Sequence, residues 1–417
     1  MRDDNTMKKS LQSKVEETIE EMEDDIVHLA QQLIAIPTVN PPGQEYARCA
    51  NFIAETLRGI DIEVNMVNTP EKKLEEFGLK SPRISVLGLW NGTRQKPTLH
   101  INGHYDVVPT GDGWTVDPFG GTIRDNRLFG RGATDMKSGL ACVIMAIAAL
   151  KKEEVKLKGN LSLSFVPDEE IGGRTGSGYL VENNLINADM ALIAEPGGID
   201  TVTVGHRGDL WLEVTTFGKA AHGGRPHQGV NAIEKMAGVI MALQELESTF
   251  EKITSKTPII PDKCKHPTIN IGTITGGIKT NVVPDRCTIT IDRRIIPEET
   301  IQHAKKHIVE TLNRVDPKIK PQVKTILAIN PAISSTTSVI SRAILRYVRK
   351  IVGKEPIIRV SPGFLDSHYF VSGMGIPTVS YGPGLLKTTH SSDEYVPLPH
   401  LALATKVYAL AIMDVLG

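Results

Sequence analysis

Residues 99–109, LHINGHYDVVP, constrain the chain more than any other stretch. The run alternates as a strand does, so positions 100, 102, 104 and 106 point to one side and most apolar ones to the other. His104 and Asp106 then share a face immediately before a proline turn. A neutral imidazole beside a carboxylate is half of a site for a first-row metal ion, or an oriented general base. Such a pair alone is often incidental, and its weight depends on what the rest of the chain brings to it.

The 417 residues suffice for two domains or one large one, and 40% hydrophobic content allows sizeable cores. A net charge of -1 without a long basic run argues against nucleic acid as the main partner. The longest apolar helix-like run, 140–150, is too short to cross a bilayer, so no membrane is expected. The first residues lead into a charged helix rather than an apolar signal segment. Cys49, Cys142, Cys264 and Cys287 are scattered without a CxxC pair. They read as reduced thiols of a cytoplasmic protein, and a cysteine zinc site is not expected.

Val15, Ile19, Met22, Ile26, Leu29 and Leu33 recur at helical spacing and predict one amphipathic helix that Pro37 ends. A rigid turn at 40–43, a helix over 45–58 and strands over 60–67 and 85–89 follow. The segment GRGATDMKSG, 130–139, runs into a buried helix over 138–151. Its glycine spacing suggests a dinucleotide loop, but the sixth position is Asp135 and no strand is expected directly before the turn. A carboxylate there suits a cation better than a pyrophosphate. The strand 160–167 delivers Asp168, Glu169 and Glu170, followed by Gly172 and Gly173. Three adjacent acids repel one another unless solvent or a cation compensates. On a straight strand Glu169 and Glu170 would face opposite ways; the glycines permit the kink that unites them. A strand over 190–193 leads to Glu195, so acids recur at strand ends, where sites lie in open α/β sheets.

From 208 the pattern changes. Strands over 210–217, 268–275, 286–294 and 323–329 alternate with helices over 231–247 and 297–315. This βαββαβ order resembles a small split βαβ sandwich inserted in a larger domain. A helix over 337–352, strands over 357–360 and 378–381, a loop carrying His390 and a final apolar helix complete the first style. The chain is thus α/β, with a discontinuous larger domain, 1–207 and 331–417, that carries the candidate acids and histidines, and an inserted α+β domain, 208–330. His100 is expected to be packed or partly exposed, and His206 and His227 to be ordinary loop histidines.

Together the candidates are His104, Asp135, Glu170, Glu195 and His390, with Asp106 and Glu169 beside them. Two imidazoles and three carboxylates form the nitrogen and oxygen donor set of a pair of divalent cations. One carboxylate would have to bridge the pair, and a spare one would serve as general base.

The segments GHYDVVP, GRGATDMKSG, DEEIGG, AEPGG, GKAAHGGRPHQGVNAI and THSSDEYV, with IAIPTVNPPG and YGPG, resemble the M20 family of metallopeptidases and deacylases. The similarity runs from about residue 15 to the end and is greatest to the acetylornithine deacetylase/succinyl-diaminopimelate desuccinylase group. It implies a mixed-sheet catalytic domain of the zinc-exopeptidase type and a ferredoxin-like inserted lid through which two copies dimerise. It implies two divalent ions (Zn²⁺, or Co²⁺ or Mn²⁺) on His104, Asp135, Glu170, Glu195 and His390, with Asp135 bridging and a non-proline cis bond after it. By the same resemblance Glu169 is the base, Asp106 orients His104, and His222 reaches the partner's active site to stabilise an oxyanion. Asn281 and Arg294 contact the substrate; Arg293 stands where the family has an apolar residue, and strand alternation lets only one of the two arginines face it. The implied reaction is hydrolysis of the amide of a small N-acyl amino acid. A dipeptidase or carboxypeptidase using the same centre is the alternative among enzymes. A binding protein that kept the fold and lost the chemistry is the alternative of another class, against which the complete ligand set argues. A serine hydrolase lacks its GxSxG elbow here.

Overall fold

Strand Thr98–His104 is the axis of the larger part of the molecule, seen in a computed structural model that describes residues 2–80, 82–315 and 319–417, with side chains from residue 10 onward. Met1, expected to precede a charged helix, lies outside the described residues. The axial strand runs parallel to Asn160–Val166 on one side and Met190–Ile193 on the other, and Thr378–Ser380 extends the parallel set. Ile84–Trp90 and Glu63–Asn68 add antiparallel beyond Asn160–Val166. The sheet is mixed, and its four parallel strands bring their carboxyl ends to one edge. Parallel sheets are covered on both faces. Accordingly every residue of the axial strand from Leu99 on is buried, His100 and Asn102 included.

Helices Lys137–Lys152 and Leu398–Leu416 pack on each other and on this strand. Gly103 is where the first of them lies closest. A β-carbon there would sit 2.5 Å from Leu140 Cδ2 and 2.7 Å from Met136 Cε. The longer apolar helix is the second, which corrects the reading of 140–150 as the longest apolar run. Its length and hydropathy match a membrane span, yet 61% of it is buried among the other elements. Pro399, His400 and Lys406 interrupt the run in the sequence and hide it.

Three further expectations are adjusted. The first amphipathic helix is two, Arg2–Glu21 and Glu23–Ile34, parted where the Met22 N–H is shared between the Thr18 and Ile19 carbonyls. A strand does precede the glycine turn: Arg127–Phe129 ends at Gly130, paired with Thr122–Arg124 and with Tyr395–Pro397. That pairing draws the His390 loop onto the Asp135 turn. His206 is not in a loop but buried at the end of Thr201–His206, its Nδ1 on the Arg207 carbonyl.

The chain divides into two compact units, Met1–Val204 with Ser334–Ile358 and Leu365–Gly417, and Gly205–Ile333 with Arg359–Phe364. The smaller unit begins at 205 rather than 208, closes at 333 rather than 330, and takes the short segment 359–364 as well. Its antiparallel sheet runs Thr268–Gly276, Arg286–Ile295, Gly208–Phe217, Gln322–Ile329. With helices Ala232–Phe250 and Ile301–Val315 this is the ferredoxin-like order. Leu210, Leu212, Val214, Ile289 and Ile291 bury against the helices, and their alternating neighbours form the other face.

Gly103→Ala forces a methyl into Leu140 and Met136. It should destabilise the larger unit by about 1–3 kcal/mol, read as a lower urea midpoint; an unchanged midpoint would show that the helix yields without cost.

Candidate metal centre

His104 ends the axial strand, Glu169 and Glu170 follow Asn160–Val166, and Glu195 follows Met190–Ile193. Asp135 stands on the turn before helix Lys137–Lys152, and His390 on the loop before Tyr395–Pro397. The fold brings all five expected ligands together. His104 Nε2 lies 3.2 Å from Asp135 Oδ1 and 3.3 Å from Glu195 Oε1. His390 Nε2 lies 3.4 Å from Asp135 Oδ2 and 3.1 Å from Glu170 Oε2. Each Asp135 oxygen thus faces a different imidazole–carboxylate pair, giving two trios whose donor atoms fall within 4.8 Å of one another. The Glu170 Oε1 atom is buried with no hydrogen-bond partner, an orphan that a cation would satisfy. Imidazole and carboxylate donors together suit a divalent cation. The Asp135–Met136 peptide is cis.

What holds this arrangement was only partly legible beforehand. Asp106 is fully buried and accepts from three sides: the Glu169 N–H at 3.2 Å, the Glu170 N–H at 3.3 Å and the Asn40 amide at 3.1 Å. The His104 Nδ1 atom lies 3.0 Å from the Asp106 carbonyl and 3.4 Å from its carboxylate, which leaves Nε2 for the centre. Asp168, the first of the three adjacent acids, is no ligand. It is buried against the Arg83 guanidinium at 2.7 Å and also receives Tyr46, Asn40 and Thr175. Asp168 (φ 67°), Gly172 (φ 101°) and Gly173 (φ 66°) supply the kink that lets Glu169 and Glu170 share a site. Glu394 accepts the Thr134 and Asp135 N–H groups at 2.9 and 3.0 Å, and Arg131 pairs with it at 2.6 Å, both side chains buried. Arg131 and Glu394 lie inside two segments that the sequence had flagged, but their pairing left no mark in it.

Crowding shifts the titrations. Burial raises the Glu169 carboxyl well above its usual range; His104 opposes this, and Glu195, Asp366 and Glu170 add to it. Burial also raises Glu170, to about 7, against the pull of His390. For Asp135 burial is outweighed by hydrogen bonds from His104 and His390, which hold it below the usual range. Hydrogen bonds to Asp135 and Glu170 raise His390 to about 10.

The remaining expected residues belong to the smaller unit. His222 is exposed, and backbone pairing with Val282 and a Gly223 N–H to Asn281 carbonyl bond of 2.8 Å place it beside Asn281. Its Nδ1 accepts the Gly224 N–H at 3.0 Å, so the neutral ring carries its proton on Nε2. Arg293 and Arg294 part as alternation requires. Arg293 is buried on the helix side, bidentate to Glu299 at 2.8 and 3.1 Å and 4.3 Å from the Phe250 ring. Arg294 lies on the opposite face, held by Asp292 at 2.9 Å and Asp209 at 3.0 Å. His227 is exposed in the turn Pro226–Gln228, and His100 is buried.

At pH 7 the His390 ring carries a proton that a cation must displace. Co²⁺ binding should therefore release about one proton or more and tighten as the pH rises from about 6 to 8. Calorimetry in buffers of different ionisation heat measures this; affinity independent of pH, with no proton released, would remove His390 from the ligand set.

The sequence profile of peptidase family M20/M25/M40 matches residues 100–414. The chain is 30% identical over 430 residues to the N-formyl-4-amino-5-aminomethyl-2-methylpyrimidine deformylase of Bacillus subtilis, covering 95% of each. It is 27% identical over 398 residues to the succinyl-diaminopimelate desuccinylase of Ehrlichia ruminantium, covering 92% of this chain and 96% of that one. An M20 family metallo-carboxypeptidase from Sulfolobus solfataricus shares the fold, with a TM-score of 0.76, 21% identity and coverage of 94% and 98%. With two carboxylate–imidazole trios joined at Asp135 and a match over most of its length, the chain belongs to the M20 peptidase family and is an amide-hydrolysing enzyme.

Proposed function

We propose that the enzyme removes the acyl group from a small N-acyl amino acid or a closely similar N-acylated amine, using two divalent cations. The observation that carries this is the division of the Asp135 carboxylate between two trios with Glu169 buried alongside. Curated relatives named as a deformylase, a desuccinylase and an acetylornithine deacetylase support the acyl-transfer side of the reading. His104, Asp135 and Glu195 would hold one ion, and Asp135, Glu170 and His390 the other. Zinc suits these donors, with cobalt or manganese as substitutes. Cations bound there supply Lewis acidity that polarises the amide carbonyl and acidifies water.

The protein's own groups do the rest. Glu169 takes a proton from the attacking water and returns it to the leaving amine. Its burial raises its proton affinity, which favours taking up the proton. The His222 Nε2–H is the donor for the developing oxyanion, in a homodimer formed through the smaller unit. Asn281 contacts the substrate, and Arg294, its orientation fixed by Asp292 and Asp209, offers its remaining N–H donors to a substrate carboxylate. Free cysteines agree with a cytoplasmic location.

Amine release from a panel of N-acetyl, N-succinyl and N-formyl amino acids and simple dipeptides tests this reading. Turnover of one N-acyl compound that a chelator abolishes is the expected result. Two amino acids released from dipeptides alone would make the enzyme a dipeptidase instead. Glu169→Ala should lower kcat by about 100-fold or more while both ions stay bound; substantial remaining turnover would take Glu169 out of the mechanism. Arg294→Ala should raise KM for an N-acyl amino acid about tenfold or more with kcat little changed. Equal loss on a substrate without a carboxylate would assign Arg294 a purely structural part.

A further inference from the structure

A buried polar chain runs along one face of the axial strand, and the proposed mechanism does not use it. The His100 ring is 1% exposed, with Nδ1 2.7 Å from Ser162 Oγ and Nε2 2.8 Å from Ser164 Oγ. The Asn102 amide gives its two hydrogens to Ser164 Oγ and to Ser177 Oγ, both at 2.9 Å. Ser177 in turn donates to Asp366 Oδ2 at 2.6 Å. Asn102 donates at both of its contacts and Ser177 donates to Asp366, while the neutral His100 ring gives a proton to one of the two serines and accepts one from the other. Burial holds His100 near pKa 3, so the ring is neutral and the pattern is the same at any physiological pH.

The chain ends at Asp366, which is itself 1% exposed and packs onto the turn carrying Glu169 and Glu170. A β-carbon at Gly173 would lie 2.2 Å from Asp366 Oδ1. Tyr369, one helical turn on, donates to the Gly172 carbonyl at 2.7 Å. The glycine pair that kinks the turn is thus gripped by Asp366 and Tyr369, as Asp106 grips the Glu169 and Glu170 N–H groups. Asp366 belongs to none of the ligand trios, and its Oδ1 finds no hydrogen-bond partner. An acid buried in this way with one oxygen unpaired is costly unless it has a task, and burial raises its pKa to about 7.

We propose that Asp366 is a positioning residue of the hydrolytic centre: held through Ser177 by the chain that ends at His100, it wedges the Gly172–Gly173 turn and so aims Glu169 and Glu170. The inference rests on the reading of Glu170 as a ligand and Glu169 as the base.

The test compares Asp366→Ala, Asp366→Asn and Ser177→Ala with the wild type. Co²⁺ affinity and stoichiometry are followed by visible absorption, kcat and KM on the best substrate of the panel, and melting temperature for the fold. Asp366→Ala should bind one of the two Co²⁺ ions about 10–100-fold more weakly, as loss of a ligand's support does. It should lose kcat by about 100-fold with KM nearly unchanged, as expected of a misaimed group. Asp366→Asn, which still accepts from Ser177, should recover most of both losses, and Ser177→Ala should fall between. Both Co²⁺ affinities and kcat unchanged in Asp366→Ala would overturn the proposal. So would equal losses in Asp366→Asn with metal binding intact, which would mean the negative charge acts directly. If Asp366→Ala does not fold, Ser177→Ala decides, since wild-type values there would show that the chain positions nothing. If the wild type turns over no substrate, the function reading fails while the Co²⁺ titration still judges Asp366.

Discussion

The Asp106 carboxylate is the contact on which the centre depends. It accepts the backbone N–H groups of Glu169 and Glu170, and it lies against the His104 ring. One buried acid therefore couples the end of the axial strand to the turn after its parallel neighbour. Strand pairing alone would not do this. His104 pairs in register with Val166, three and four residues short of the two glutamates, and the chain between turns through a left-handed residue at Asp168. Hydrogen bonds to an ionised acceptor are about twice as strong as neutral ones. An anchor of that kind fits a turn that must place two like charges side by side.

Concentrating carboxylates in this way has an electrostatic cost, and the structure meets it with fully buried arginines at one remove. Arg83 neutralises Asp168 and Arg131 neutralises Glu394, all four side chains 0–2% exposed. Such pairs add little net stability against an apolar replacement, whereas loss of one partner leaves an uncompensated buried charge. Their value here is geometric. Asp168 and Glu394 each fix a turn, the first the bend before Glu169 and the second the backbone of Thr134 and Asp135. Among the described residues no arginine or lysine pairs with Asp135, Glu170 or Glu195, whose cationic partners are His104 and His390. The carboxylates of the two trios therefore outnumber their imidazoles, which suits a cation better than a closed ion-pair network.

The sequence showed the donors and the order of the elements because both are local properties. His104, Glu169, Glu170 and Glu195 stand at strand ends that alternation and apolar runs reveal. The βαββαβ order of the smaller unit is a simple succession of periods. What it could not show is pairing across long separations. Arg83 and Asp168 are 85 residues apart and Arg131 and Glu394 263 apart. Neither pair has a spacing that distinguishes it from solvated charges. The apolar C-terminal helix was obscured by Pro399, His400 and Lys406, and the strand before Gly130 has only three residues, too few for a period to register. His206 reads as a loop residue because its neighbours are Gly205, Arg207 and Gly208, yet pairing with Ala332 makes it the last residue of a strand.

The two units also differ in how firmly they fix their functional residues. Every residue of the two trios but His390 is largely buried. His222 and Asn281 are exposed and are held to each other by main-chain contacts alone. Arg294 is fixed by two acids, but on the face of the sheet that the helices leave open. His222 and Asn281, supported by backbone alone, can change without disturbing a core. The centre of the larger unit is thus determined several times over, whereas the positions proposed to meet the substrate are determined once. For the same reason the reaction type can be read from the centre, while the identity of the substrate has to be measured.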